Sequence, residues 1–241
     1  MLLKTRGIVF RSVKYGDSSL ILEVYTEQRG IRKYIVSGVR KPRSSTPASA
    51  LQLMNLLDLV AYEREGKDLT RIKELRPAFV YERIPFEVER GTLGQFLLEV
   101  ARNAIREAEG NPALFAFLFG TFVFLDRFPG SVANLHLHFL LEFSAYLGFL
   151  PSGQYSAATP LFDLKSGEFT GAFPGHPEYL AEERAALMYR LLHAERAEIA
   201  DIPTERAERL GLLDDLVRYY RHQLEGFRPL NSLDILRQVM R

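Results

Sequence analysis

Cations crowd the front of this chain. Lys4, Arg6, Arg11, Lys14, Arg29, Arg32, Lys33, Arg40, Lys41 and Arg43 fall within the first 45 residues, against only Asp17, Glu23 and Glu27. Lysine and arginine at this density take phosphate oxygens and release the counterions condensed on a nucleic acid. Phe10, Tyr15, Tyr25 and Tyr34 are interleaved with them. An aromatic ring stacks on any base, which suits sequence-tolerant binding of a single strand. Phe10 reads as core, while Tyr15, beside Lys14 at a turn, is the stacking candidate. The phosphate contacts are assigned to Lys4, Arg6, Arg11, Lys14, Arg32, Lys33, Arg40, Lys41 and Arg43, with Tyr15 as platform. The competing reading is a solubilised surface without a partner.

Other chemistries leave no trace. The chain has no cysteine, which excludes disulfides, thiol nucleophiles and Cys-ligated zinc. There is no GxxxxGK[ST] loop, no GxGxxG after a strand, no GxSxG elbow and no HExxH. Of the five histidines only His136 and His138 are near neighbours, and an i,i+2 pair on a helix points to different faces. Packing is the simpler role for both. Asp214-Asp215 and Glu182-Glu183 lie on amphipathic segments and read as solvated faces. No metal and no cofactor is expected, and a binding protein is favoured over an enzyme.

The elements that must position the cations follow from composition and period. The chain has 241 residues, 47% hydrophobic and 25% charged, which is ordinary globular composition. Its net charge of +1 hides an asymmetry: the first 45 residues carry an excess of seven bases, residues 46–84 balance, and residues 85–241 carry an excess of six acids. A basic front on an acidic body suggests that the front meets a polyanion. No stretch approaches ~20 uncharged apolar residues, so no transmembrane helix is expected. Met1-Leu2-Leu3-Lys4-Thr5-Arg6 lacks the apolar core of a signal peptide, which points to the cytoplasm.

Residues 3–36 alternate with a period of two in three runs, broken at Gly16-Asp17 and Gln28-Arg29-Gly30. Residues 40–49, basic and proline-bearing, read as a loop able to close over a bound strand. Leu53–Tyr62 and Leu69–Leu75 supply two more strands. Five short strands in about eighty residues suit a small closed barrel such as the OB-fold. An SH3-like barrel has a similar strand count, and period alone does not separate the two. After Pro85 the period turns helical. Helices are predicted over Phe86–Glu109, Ala113–Phe128 (apolar nearly all round, the expected central helix of a bundle), about 131–149, Glu178–Arg196, Thr204–Glu225 and Ser232–Met240. Between them, residues 150–176 are irregular, with a short hairpin around Lys165-Ser166-Gly167. The fold class is therefore α+β: a five-stranded barrel over 1–80, then a helical domain over 81–241 with an irregular insertion at about 150–176.

Four segments carry a family resemblance. Gly7-Ile8-Val9-Phe10-Arg11-Ser12-Val13-Lys14-Tyr15-Gly16-Asp17-Ser18-Ser19-Leu20-Ile21-Leu22 resembles the N-terminal strand pair of the RecO family, and Gly38-Val39-Arg40-Lys41-Pro42-Arg43-Ser44 its basic loop. Leu140-Leu141-Glu142-Phe143-Ser144-Ala145-Tyr146-Leu147-Gly148-Phe149 is similar to the helix before that family's cysteine-rich insertion. Residues 219–236, from Tyr219-Tyr220-Arg221 to Asp234-Ile235-Leu236, resemble its closing segment.

The resemblance implies an OB-fold on a helical domain and a recombination mediator in the bacterial cytoplasm, associated with the nucleoid. It implies binding of single- and double-stranded DNA, strand annealing, and loading of RecA onto DNA coated by single-strand-binding protein, without enzymatic turnover. RecR and the acidic tail of single-strand-binding protein would be partners. Many members carry four zinc-binding cysteines where this chain has residues 150–176 without one, so zinc is not carried over and the hairpin must hold itself by packing and turns. An acidic, apolar-ended peptide needs a hydrophobic pocket with a cationic rim. Arg218, Tyr219, Tyr220, Arg221 and Arg228 are the residues expected to supply one. The opposing readings are a helical adaptor whose barrel binds protein, and a metal-dependent hydrolase built on the scattered acids.

Overall fold

The computed structural model describes residues 1–39, 48–63, 66–106 and 109–240. It forms two compact units, Met1–Glu87 with Ile105–Arg127, and Val88–Ala104 with Phe128–Arg241. The first unit is built on β1 (Leu2–Tyr15), β2 (Ser19–Thr26), β3 (Gly30–Val36), a 3-10 turn (Ala48–Leu51), β4 (Leu56–Tyr62) and β5 (Leu69–Pro77). These strands close in the order β1-β2-β3-β5-β4. That order, with β3 running parallel to β5, is the OB-fold arrangement and decides against the SH3-like alternative.

The length of β1 makes closure possible. Leu2–Ile8 pair with β4, and Gly7–Tyr15 pair with β2. A bulge between Val9 and Arg11 bends the strand from one neighbour to the other. Gly7 lies where both partners crowd in: a Cβ there would fall 2.4 Å from Val24 Cγ1. Inward residues Val9, Leu22, Val24, Tyr34, Val36, Leu57, Leu59, Ala61 and Ile72 fill the barrel, joined by Val39 and Leu51. The apolar run at Leu53 starts its strand only at Leu56, because Met54 holds a left-handed φ of 70°.

α2 (Pro112–Arg127) belongs to this same unit. Its apolar circumference predicts the centre of a helical bundle; instead it packs on barrel side chains. Phe115 meets Tyr25 at 6.0 Å between ring centroids, and Tyr25 stacks on Phe10 at 5.5 Å. The boundary at residues 80/81 separates strands from helices along the chain, whereas in space α2 groups with the strands. At the far end of α2, the buried Asp126 carboxylate accepts the backbone N–H of Glu82, Arg83 and Ile84 at 2.9–3.1 Å. Burial alone would raise its pKa. The three N–H groups, aided by Arg127, outweigh burial and hold it below the usual carboxylate value.

The second unit holds α1 (Val88–Ala104), α3 (Leu135–Tyr146), α4 (Glu182–His193), α5 (Arg206–Gln223), α6 (Leu233–Val239) and a small sheet. α3 is the buried central helix here, with Leu135 through Leu141 all buried. The sheet has the order β7-β6-β8, with β6 Leu161–Asp163, β7 Glu168–Thr170 and β8 Tyr179–Leu180. Two residues are too few for β8 to leave a period in the sequence. Rings hold the hairpin together: Phe162 lies 4.9 Å from Phe169 and 5.5 Å from Tyr219. Gln223 Nε2 donates to the carbonyls of Leu164 and Lys165. α6 is capped from outside itself, since the Glu99 carboxylate on α1 accepts the N–H groups of Asn231 and Ser232.

Two stability outcomes follow. Asp126→Ala leaves three N–H groups without their acceptor and is expected to cost about 3 kcal/mol or more, read as a lower urea midpoint. An unchanged midpoint would deny the carboxylate its role. His136 on α3 is buried against Phe96, and burial, reinforced by Arg209, pushes its pKa down to about 3. The folded chain keeps it neutral while the unfolded chain takes a proton below about 6.5. Its contribution is complete above that value and declines as pH falls toward about 3. The urea midpoint of His136→Leu should fall less than that of wild type between pH 7 and pH 5. Parallel curves would refute the linkage.

Candidate nucleic-acid interface

Residues opposite one another on paired strands share a face of the sheet. On β1 the outward side carries Lys4, Arg6 and Ile8 before the bulge. After it, Arg11, Val13 and Tyr15 point outward, because the extra residue inverts the alternation. Register then joins four strands into rows. Arg11 faces Glu23, Glu23 faces Lys33, and Lys33 faces Leu69. Val13 faces Ile21, Ile21 faces Ile35, and Ile35 faces Arg71. Tyr15 closes the end of this face and is 52% exposed. The result is an apolar stripe flanked by Arg11, Lys33 and Arg71, with Glu23 as the one carboxylate in the two rows. Four strands at about 4.8 Å spacing make it about 15 Å wide.

At the β3–β5 seam lies a groove of about 460 Å³, lined by Ile35, Tyr62, Lys67, Leu69, Thr70 and Arg71. Lys67 and Arg71 are exposed, and Arg71 reaches Ser37 Oγ at 3.4 Å. Among the described residues no carboxylate lines this groove. Sequence reading missed Tyr62, Lys67 and Arg71. They sit in the stretch 46–84 whose charges cancel, and only the register shows that Arg71 shares the outward face with Ile35. The outward alternation of Leu69 and Arg71 was the available signal.

The predicted cations divide among several environments. Arg11, Lys33 and Tyr15 share the face just described. Lys14 pairs with Leu20 and Arg32 with Val24, so both follow the inward alternation. Lys14 stays exposed at the strand end, and Arg32 turns its guanidinium to the Ile31 carbonyl at 3.0 Å. Lys4 and Arg6 lie on the other side of the barrel. They line a groove of about 600 Å³ with Glu27, Asp58, Glu74 and Arg76, where cations and carboxylates are equal in number. Arg6 is a clamp rather than an open phosphate contact. It donates to both Glu27 oxygens at 2.9 and 2.7 Å and lies 5.4 and 5.0 Å from the Phe115 and Phe119 ring centroids. Its hydrogen bond with Glu27 raises its own pKa and lowers that of Glu27. Phe10, Tyr25 and Tyr34 are buried and offer no open platform. Arg40, Lys41 and Arg43 lie outside the described residues.

The expected peptide pocket on α5 does not form. Tyr219 and Tyr220 are core residues, and the Tyr220 hydroxyl donates to the Leu140 carbonyl at 2.7 Å. Arg218 is held between Asp215 and Glu178. Arg221 and Arg228 are exposed, and the Arg228 backbone is pinned by Asn103. An alternation of tyrosine and arginine at a helix end signals burial of the rings as readily as a rimmed pocket. Among the described residues no three His, Asp or Glu side chains gather to hold a metal ion, and no helix is long and apolar enough to cross a membrane.

Comparison with known proteins matches both parts of the chain. Residues 1–81 fit the family model described as Recombination protein O N terminal, and residues 85–234 that described as Recombination protein O C terminal. The chain is 33% identical over 240 residues to a protein of Bacteroides fragilis named DNA repair protein RecO, covering 99% of each chain. Proteins of the same name from Phocaeicola vulgatus and Christiangramia forsetii are 31% and 33% identical, again over 99% of each chain.

Proposed function

The chain belongs to the RecO family, and from that premise we propose that it is a non-enzymatic mediator of DNA repair and recombination. It binds single- and double-stranded DNA through the outer face of the barrel and anneals complementary strands. With RecR, and with the tail of single-strand-binding protein as a contact, it helps RecA onto coated DNA in the bacterial cytoplasm, at the nucleoid. The observation that carries the reading is the pair of rows Arg11–Glu23–Lys33–Leu69 and Val13–Ile21–Ile35–Arg71. They put cations beside apolar side chains on one continuous surface. The barrel's other groove matches each cation with a carboxylate and attracts a polyanion less.

The chemistry such a surface performs is charge neutralisation. Two single strands repel through their phosphates, and cations that displace counterions lower that barrier. The bases stay free to find their complements, because phosphate contacts carry no sequence information. No covalent bond is made or broken in annealing, so the reading asks for no nucleophile, metal or nucleotide. The tail of single-strand-binding protein needs a docking place other than Tyr219 and Tyr220, whose rings are buried.

Two outcomes test this. Binding to single strands should weaken with salt at a log–log slope of about −3 to −4, corresponding to four to six phosphate contacts at about −0.7 each. Replacing Arg11, Lys33 and Arg71 with alanine should flatten the slope by about 2 and weaken all sequences alike. Replacing Lys4 and Arg76 should leave the slope nearly unchanged. The reverse pattern would move the DNA to the other side of the barrel. In an annealing assay with complementary labelled strands, the wild-type chain should accelerate pairing and the Arg11/Lys33/Arg71 variant should not. Equal acceleration by both would separate annealing from this face.

A further inference from the structure

The seam between β3 and β5 rests on three residue pairs: Lys33 with Leu69, Tyr34 with Thr70 and Ile35 with Arg71. The pairing is short, and the groove of about 460 Å³ lies against it. Its lining is specific in kind. Ile35 and Leu69 give apolar walls, Tyr62 gives a ring that is 44% exposed, and Lys67 and Arg71 give cations.

We propose that this groove seats an unpaired base of single-stranded DNA, stacked on Tyr62, with Lys67 and Arg71 on the flanking phosphates. The inference rests on the barrel's being a DNA-binding surface and adds a base-binding site to it. The lining selects this ligand. A π-face suits the ring and the apolar walls, and the phosphates suit the two cations. A duplex has its bases already stacked and paired. It can use the cations but not the ring, so the groove favours single strands over double.

The test compares Tyr62→Ala, Tyr62→Phe and wild type, each binding a labelled single strand and a duplex of equal phosphate number across a salt series. Loss of one stacking platform is worth ~1–3 kcal/mol per base. Tyr62→Ala should therefore bind the single strand about 5-fold to about 150-fold more weakly, with an unchanged salt slope and unchanged duplex affinity. Tyr62→Phe keeps the ring and should match wild type, which guards against a folding defect in the alanine variant. A 2-aminopurine base in the strand should lose fluorescence on binding wild type and lose less with Tyr62→Ala. Wild-type single-strand affinity in Tyr62→Ala would overturn the base site while leaving the DNA-binding face intact, and so would an equal loss on single strand and duplex. If the wild-type chain bound neither DNA, the reading beneath the proposal would fall with it.

Discussion

The first unit depends on barrel closure through a minimal contact. A five-stranded open sheet would leave two rows of unpaired backbone groups, and the parallel pairing of β3 with β5 covers them with only three residue pairs. Closure fixes which side of every strand is core and which is surface. It also aligns β1, β2, β3 and β5 so that Arg11, Lys33 and Arg71 fall in adjoining rows. The groove lies beside this short seam. Stability and the proposed binding surface are thus two aspects of one piece of geometry.

The bulge at Val9/Arg11 is the second constraint, and it explains what could be read in the sequence and what could not. Strand existence was legible, because Leu20, Leu22 and Val24 alternate and the glycine turns punctuate the runs. Face was not. An unbroken period of two from Lys4 and Arg6 would carry Ser12 and Lys14 outward, whereas the bulge turns Arg11, Val13 and Tyr15 outward instead. The cation list drawn from the sequence therefore mixes residues of several environments. Arg6 looked like its neighbours, yet it is bound to Glu27 and lies over two rings of α2. That role depends on a helix more than a hundred residues away in sequence. Tyr62, Lys67 and Arg71 were hidden because net charge over a window cannot separate acids on one side of a strand from bases on the other.

The helical part shows the same division between local and non-local information. Helix positions follow from period and from breakers such as Gly110 and Pro129. Partnership does not. α2 is apolar enough to be a bundle's centre, but its Phe115 and Phe119 serve the barrel unit, and α3 takes the buried position in the other unit. Residues 150–176 have no cysteine to organise them. Phe162, Phe169 and Tyr219 pack there in edge-to-face contacts, and Gln223 ties down the turn carbonyls. Phe162 thereby covers Tyr219, and Phe143, Phe149 and Phe227 enclose Tyr220, the two tyrosines that the sequence offered for peptide recognition.

In the function proposed for this chain, one side of the barrel, the one bearing Arg11, Lys33, Ile35 and Arg71, receives the single strand. Photocrosslinking of a 4-thiothymidine strand to the intact protein, followed by mass-spectrometric mapping of the attached residues, reads this directly. Crosslinks are expected on Tyr15 and on the outward residues of β2, β3 and β5, with Tyr62 among the strongest. Crosslinks confined to the groove of Lys4, Glu74 and Arg76, or to the helices of the second unit, would contradict it.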